Sequence, residues 1–287
     1  MSMDDAFPPF EPDGPERDPD NGDDAARKRR LREIPLRFVV PNIITVLAIC
    51  AGLSAVRMAF EERFDVAIGL VLLAAVLDGL DGRMARLVKG TSRFGAEMDS
   101  LADAVNFGVV PALVLYIFVL DEAAQFGWIA ALLYVIACTL RLARFNVMAG
   151  DSNRPRWQQA YFVGIPAPGG ALVVLLPVYL GFLGFSPGWF TASVVSVFTI
   201  VIGFLMVSNL PVWSGKTLGA RVPRTAVMPL ILTVVLYVAA LANFTWSTLT
   251  LSAIAYLCFL PFSVRLWRRQ ARRHAARTTP SPDAPDA

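Results

Sequence analysis

Four aspartates stand in one stretch of a chain that is otherwise a succession of apolar segments: Asp78, Asp81, Asp99 and Asp103. A carboxylate at or near membrane depth is costly unless it has a partner, so ionisable residues at that depth indicate function by default. Four carboxylates close together cannot all stay ionised without a counter-charge. Carboxylate oxygens are hard ligands that suit Mg²⁺ or Mn²⁺, and two ions can share bridging carboxylates. The stretch therefore predicts a divalent-metal site of the type that acts on phosphate groups.

Helical spacing arranges the four carboxylates in two stripes. If residues 89–94 join two helices, Asp78 and Asp81 share one face of the first helix, because residues three or four apart are neighbours. Asp99 and Asp103 share one face of the second helix for the same reason. Both pairs can then point into one gap. The two stripes also carry small or polar residues that leave room or can bind phosphate, namely Gly82, Ala85, Arg86, Gly95 and Asn106.

Composition sets the class of protein that must position these residues. The chain has 287 residues, of which 55% are hydrophobic, and its mean hydropathy is +0.54. Its apolar runs are continuous and long enough to span a bilayer, which indicates helices and not the alternating strands of a membrane barrel. We expect an all-α, polytopic transmembrane helical bundle of about eight spans, at residues 39–59, 66–85, 99–119, 127–146, 168–185, 189–209, 226–243 and 247–266.

The distribution of Lys and Arg predicts the orientation of this bundle. Basic residues flank the start of the first span and follow the second, fourth, sixth and eighth, whereas the alternate loops hold almost none. This pattern places both termini in the cytoplasm of a protein of the inner membrane, with the aspartates facing the cytoplasm. The apolar part of the second span, residues 66–77, is about 18 Å long. It is too short to cross a hydrocarbon core of roughly 30 Å, so Asp78 is expected within the inner leaflet.

The two ends of the chain differ from the apolar region between them. Residues 1–35 are predicted to be a disordered acidic tail that ends in a basic juxtamembrane segment. The basic run is assigned to membrane topology and lipid attraction, with no nucleic acid as partner. Residues 36–268 form the transmembrane domain, and residues 269–287 are predicted as a basic and then Pro-rich disordered tail.

The aspartates form part of a longer pattern, Asp78-x-x-Asp81-Gly82-x-x-Ala85-Arg86 followed after eight residues by Gly95-x-x-x-Asp99-x-x-x-Asp103. This pattern resembles the full signature of the CDP-alcohol phosphatidyltransferases. Flanking stretches are similar to the membrane-integral phosphatidylserine synthases, and the resemblance covers roughly residues 38–220. The stretches are residues 41–45, 94–111, 141–147, 164–168 and 205–216.

The resemblance implies an activity and a role for each matching residue. CDP-diacylglycerol and L-serine would be the substrates, and CMP would be released in phospholipid biosynthesis. Asp78, Asp81 and Asp99 would hold Mg²⁺ or Mn²⁺, with two ions present, and Asp103 would bind the second ion and act as general base. The CDP moiety would lie along Gly82, Arg86, Ser92 and Gly95. A homodimer is also implied by the resemblance.

Recognition of the acceptor rests on other residues, and alternatives stay open. The candidate partners of the acceptor's carboxylate or of phosphate are Asn106, Arg141, Arg144, Asn146 and Lys216. The basic residues among them are equally well explained as topogenic charges at helix ends, and Asn106 as a bond between helices. The acceptor could instead be glycerol phosphate, inositol phosphate or choline. From another class, a carboxylate-lined transporter is the alternative. Direct attack on phosphorus is favoured over a covalent intermediate, because no nucleophile stands out.

Overall fold

The computed structural model describes residues 36–87, 93–149, 161–185, 188–213 and 224–278. These ranges are almost wholly helical, which confirms the all-α prediction. The α-helices, in chain order, are α1 (Leu36–Phe60), α2 (Phe64–Leu87), α3 (Arg93–Asp103), α4 (Val110–Phe118), α5 (Ala124–Ala149), α6 (Ala167–Val174), α7 (Leu176–Phe182), α8 (Trp189–Val207), α9 (Arg224–Asn243) and α10 (Thr245–Thr278). A π-helix (Ala104–Val109), a 3₁₀-helix (Leu120–Ala123) and two short strands, β1 (Tyr161–Val163) and β2 (Pro211–Trp213), complete the order.

Five stretches of the described chain are long and apolar enough to cross a membrane: Val40–Phe60, Phe94–Phe118, Leu120–Met148, Trp189–Val207 and Thr245–Trp267. The protein is therefore an integral membrane protein. Two shorter apolar stretches, Ala167–Phe182 and Val227–Asn243, fall on predicted spans, and α2 coincides with the predicted span that carries Asp78 and Asp81. The number of eight spans stays a prediction.

Two predicted boundaries differ from the observed ones. The span expected at 168–185 is broken into α6 and α7 at Leu175, because Pro177 lies in the first turn of α7. A proline has no backbone N–H and disfavours helical geometry in the residue before it. At the other end of the chain, α10 continues to Thr278, into the segment predicted as a disordered tail. That segment is rich in Ala and Arg, which favour helix, until Pro280. Residues 1–35 and 279–287 lie outside the described ranges.

The chain divides into two compact units, Met1–Val110 and Pro111–Ala287. In the first unit, α1 and α2 form a hairpin closed by a short turn, in which Glu62 adopts a positive φ of 58°. Buried alanines line the facing sides of the hairpin. They are Ala48, Ala55 and Ala59 on α1 and Ala67 and Ala74 on α2. Small side chains let helix backbones approach closely, so polar side chains of short reach can meet across this pair.

The second unit is built around α5 and α8. A side-chain carbon at Gly203 of α8 would lie 3.3 Å from Ala137 of α5, which shows how closely the two helices pack. Ser196 and Thr199 on α8 are fully buried, and each hydroxyl donates to the carbonyl four residues earlier, at 2.8 Å. This bonding satisfies both hydroxyls within their own helix.

The second unit also contains a short antiparallel pair, in which Phe162 of β1 faces Val212 of β2. Directly after β1, Gly164 has a φ of +76° and its N–H donates to the Leu210 carbonyl at 2.8 Å. Glycine adopts this left-handed conformation without a steric cost. The pair thus ties the segment before α6 to the segment after α8.

Gly52 of α1 provides a test of the packing in the first unit. A side-chain carbon there would clash with Oδ1 of the buried Asn106 and lie 3.2 Å from Val110 Cγ2. We expect Gly52→Ala to lower the free energy of unfolding by about 1–3 kcal/mol, as overpacking does. Gly69→Ala on α2 is the matched control, because nothing lies within 4 Å of that position. Unfolding of both variants in detergent would be followed by circular dichroism, and equal midpoints for the two would contradict the packing described.

Candidate metal centre

Three of the four aspartates meet in the first unit. Asp78 and Asp81 lie on α2 and Asp99 lies on α3. One carboxylate oxygen from each lies within 4.8 Å of the others. Asp81 is only 2% exposed, and the other two side chains are half-buried. The two helices thus bring together carboxylates that are about twenty residues apart in sequence.

Asp103, the last residue of α3, lies beside this group. Its side chain is half-buried and is close enough to that of Asp78 for a hydrogen bond. Asp103 is not one of the three residues whose oxygens cluster within 4.8 Å. Its position beside the cluster leaves it able to accept a proton or to bind a second cation, as carboxylates at such sites do.

Asp81 is held by a residue on α1. The Thr45 hydroxyl donates to Asp81 Oδ2 at 2.7 Å, while Asp81 Oδ1 is buried and has no hydrogen-bond partner among the described residues. Asp78 Oδ1 is likewise buried and has no hydrogen-bond partner among the described residues. The sequence analysis did not single out Thr45 as a site residue. The sequence feature that could have indicated Thr45 is its place in the stretch of residues 41–45, which belongs to the family resemblance.

The donor set fits a hard divalent cation. Asp78, Asp81 and Asp99 form no ion pair with any side chain that the structure describes. Clustered carboxylates without a positive partner repel one another, and buried carboxylate oxygens without a hydrogen bond are costly. A cation bound by the three side chains removes both costs, and it retains positions for water or phosphate oxygens if it is Mg²⁺.

The residues expected along the CDP moiety are described to different extents. Nothing lies within 4 Å of the place where Gly82 would carry a side chain, so the space beside Asp81 is open on that side. Gly95 lies on the first turns of α3 and Arg86 near the end of α2, whose last residues are described in backbone only. Ser92 lies outside the described residues.

Asn106 lies in the π-helix that follows Asp103 and is 1% exposed. Neither its amide oxygen nor its amide nitrogen has a hydrogen-bond partner among the described residues. The amide therefore makes no bond between helices to any residue that the structure describes. Buried amides without partners are rare, and π-helical turns occur frequently at functional sites.

The candidate acceptor residues on α5 belong to the second unit. Arg141 is 8% exposed, and its guanidinium lies 5.4 Å from the ring centroid of Phe145. Arg144 donates to the Val207 carbonyl at 3.2 Å and to the Asn209 side chain, so it caps the end of α8. Asn146 is exposed near the end of α5. Lys216 lies outside the described residues.

Comparison with known protein families identifies the chain's relatives. Residues 38–205, more than half of the chain and all four aspartates, match the family described as CDP-alcohol phosphatidyltransferase. The chain belongs to this family. Residues 225–261 also match CDP-alcohol phosphatidyltransferase 2. The family assignment that the sequence pattern predicted is confirmed, and a CDP-alcohol phosphatidyltransferase is an enzyme, so the transporter alternative is set aside.

Curated relatives carry more specific names. The chain is 41% identical to a CDP-diacylglycerol–serine O-phosphatidyltransferase of Mycobacterium tuberculosis, over 80% of this chain and 79% of that protein. It is 38% identical to a Helicobacter pylori protein of the same name, over 60% of this chain and 71% of that protein. An archaetidylserine synthase of Methanothermobacter thermautotrophicus is 30% identical, over 62% and 71% respectively.

Replacement of one clustered aspartate tests the metal centre directly. We expect Asp99→Asn to weaken Mn²⁺ binding by at least about tenfold, because even outer-sphere partners of a metal contribute that much. Titration of the purified protein with Mn²⁺, followed by electron paramagnetic resonance, measures the free ion. Asp65→Asn, an exposed aspartate in the first turn of α2, is the matched control. Unchanged Mn²⁺ affinity in the Asp99 variant would count against its role as a ligand.

Proposed function

We propose that this CDP-alcohol phosphatidyltransferase transfers the phosphatidyl group from CDP-diacylglycerol to the hydroxyl of L-serine and releases CMP, a step in phospholipid biosynthesis. The carboxylate cluster of Asp78, Asp81 and Asp99 is the observation that carries the proposal. It supplies the divalent-metal site that chemistry at a pyrophosphate needs. The relatives described above support serine as the acceptor, because each of their names contains it.

The cluster is proposed to hold Mg²⁺ or Mn²⁺, as two ions, with Asp103 as a ligand of the second. When bound, such ions neutralise charge on phosphate oxygens and on the leaving group. The donor's CDP moiety is assigned to Gly82, Arg86, Ser92 and Gly95. The open space at Gly82 suits this assignment, because a ligand can approach the helix backbone there.

Asp103 is the proposed general base. The serine hydroxyl oxygen forms a bond to the phosphorus that carries the diacylglycerol, and the hydroxyl proton passes to the Asp103 carboxylate. The bond from that phosphorus to the CMP oxygen breaks, and CMP leaves. Direct attack needs no protein nucleophile.

The remaining assignments concern the acceptor and the cellular setting. Asn106 supplies an amide that bonds none of the described residues. The basic and polar side chains of Arg141, Arg144, Asn146 and Lys216 are proposed partners of the serine carboxylate or of phosphate. Of these, Arg144 also bonds the Val207 carbonyl and the Asn209 side chain. The proposed location is the inner membrane, with the metal centre and both termini on the cytoplasmic side. The proposed oligomeric state is a homodimer.

An acceptor panel tests the substrate assignment. Purified protein would be supplied with CDP-diacylglycerol and either Mn²⁺ or Mg²⁺. Each assay would then contain serine, glycerol phosphate, inositol phosphate or choline. We expect CMP and a new phospholipid to form with serine alone. Product with a phosphorylated acceptor alone would show that serine is the wrong acceptor. The absence of CMP with every acceptor would overturn the proposed activity itself.

Asp103→Asn separates the proposed chemistry from donor binding. Because a base is needed only when the proton is transferred, we expect kcat to fall by about 10²–10⁴-fold while affinity for CDP-diacylglycerol stays near that of the unaltered protein. Steady-state kinetics and donor-binding titration measure the two quantities. Asp121→Asn is the control, because Asp121 is an exposed partner of Tyr116 in the second unit. Normal kcat in the Asp103 variant would refute its role as base.

A further inference from the structure

Thr45 is bonded differently from the other buried hydroxyls described above. It is 3% exposed, and its oxygen lies 3.1 Å from the Pro41 carbonyl, four residues earlier. A buried threonine in a helix commonly donates its hydroxyl to the carbonyl four residues earlier. Ser196 and Thr199 make only this bond among the described residues. Thr45 has a second and closer acceptor, the Asp81 carboxylate on α2 at 2.7 Å.

One proton cannot serve both acceptors equally. A hydroxyl has a single donor hydrogen, and hydrogen bonds to a carboxylate are shorter and stronger than those to a neutral carbonyl. The 2.7 Å distance therefore marks Asp81 Oδ2 as the main acceptor. The bond joins two helices, and it exists because the buried alanines of the hairpin let α1 and α2 approach closely.

We propose that Thr45 is a positioning residue for Asp81: its hydroxyl occupies Oδ2 and so fixes the side-chain rotamer that leaves Oδ1 available to a cation. Asp81 Oδ1 is buried without a hydrogen-bond partner among the described residues, and Asp81 belongs to the three-carboxylate cluster. A carboxylate held at one oxygen loses little rotamer freedom when the other oxygen binds an ion. Partners of this kind contribute about 10- to 100-fold to metal affinity. The inference rests on the proposed metal centre.

Two substitutions at Thr45 separate its hydroxyl from its shape. Thr45→Val keeps the branched side chain and removes the donor, whereas Thr45→Ser keeps the donor. We expect Thr45→Val to weaken Mn²⁺ binding by about tenfold or more, and Thr45→Ser to stay within about twofold of the unaltered protein. The readout is Mn²⁺ titration of the full-length protein in detergent, without substrate, followed by electron paramagnetic resonance. Thermal unfolding of each variant shows that the fold is retained.

Thr199→Val is the matched control. Thr199 is also buried and also bonds the carbonyl four residues earlier, but it lies on α8 of the second unit and bonds no carboxylate among the described residues. Its loss should leave the Mn²⁺ affinity unchanged. If Thr45→Val does not fold, Thr45→Ala takes its place with the same expected loss of affinity.

The outcomes distinguish this inference from the proposed function. If Asp99→Asn loses Mn²⁺ while the hydroxyl-free Thr45 variant binds it normally, the positioning role is wrong and the metal centre stands. If the unaltered protein itself binds no Mn²⁺, both fail together. Equal losses in Thr45→Val and Thr45→Ser would also overturn the role assigned to the hydroxyl, because the serine retains it.

Discussion

The mutual repulsion of clustered carboxylates is the constraint on which the first unit depends. Asp78, Asp81 and Asp99 bring their oxygens together in an apolar helical setting, and the described side chains offer them no positive partner. Burial strengthens repulsion between like charges and removes the water that would otherwise offset it. A bound divalent cation would offset this repulsion, and the cost of bringing the carboxylates together would then contribute to affinity for the ion.

The helices around the cluster are organised to tolerate this cost. Small residues on α1 and α2 bring the two backbones close together, so that α1, which contributes no aspartate, still reaches the cluster through Thr45. Gly52 of α1 also lies against the Asn106 amide. Asn106 in turn lies in a widened helical turn directly after Asp103. Pro111 follows that turn and cannot donate to the carbonyl four residues earlier, which favours a locally altered hydrogen-bond pattern.

In the second unit, polar and basic side chains lie at the ends of apolar helices and bond the backbone there. Arg144 bonds the end of α8, and Gly164 and the short β1–β2 pair join the segments on either side of α6–α8. The charge of Arg144 thus has a structural use at the end of α8. Arg141, by contrast, is buried and its guanidinium lies over the Phe145 ring.

The sequence by itself determined the class of protein, the family and the two aspartate stripes. Long apolar runs have few structural options in a bilayer, and residues at i, i+3 or i+4 share a helix face whatever surrounds them. For the same reason it located most of the helices. Local rules missed the break before Pro177 and the extension of α10, since helix ends depend on caps and neighbours that a hydropathy pattern does not report.

Only the tertiary structure decided which side chains meet. Thr45 and Asp81 are separated by 36 residues, and their bond depends on how closely two helices pack, a distance that no local pattern contains. The structure also assigned the two arginines of α5 different surroundings, although their spacing in sequence makes them look equivalent. Residues that share one helix face could be identified from their spacing in the sequence. Residues on different helices that form one site could be identified only from the packing that brings those helices together.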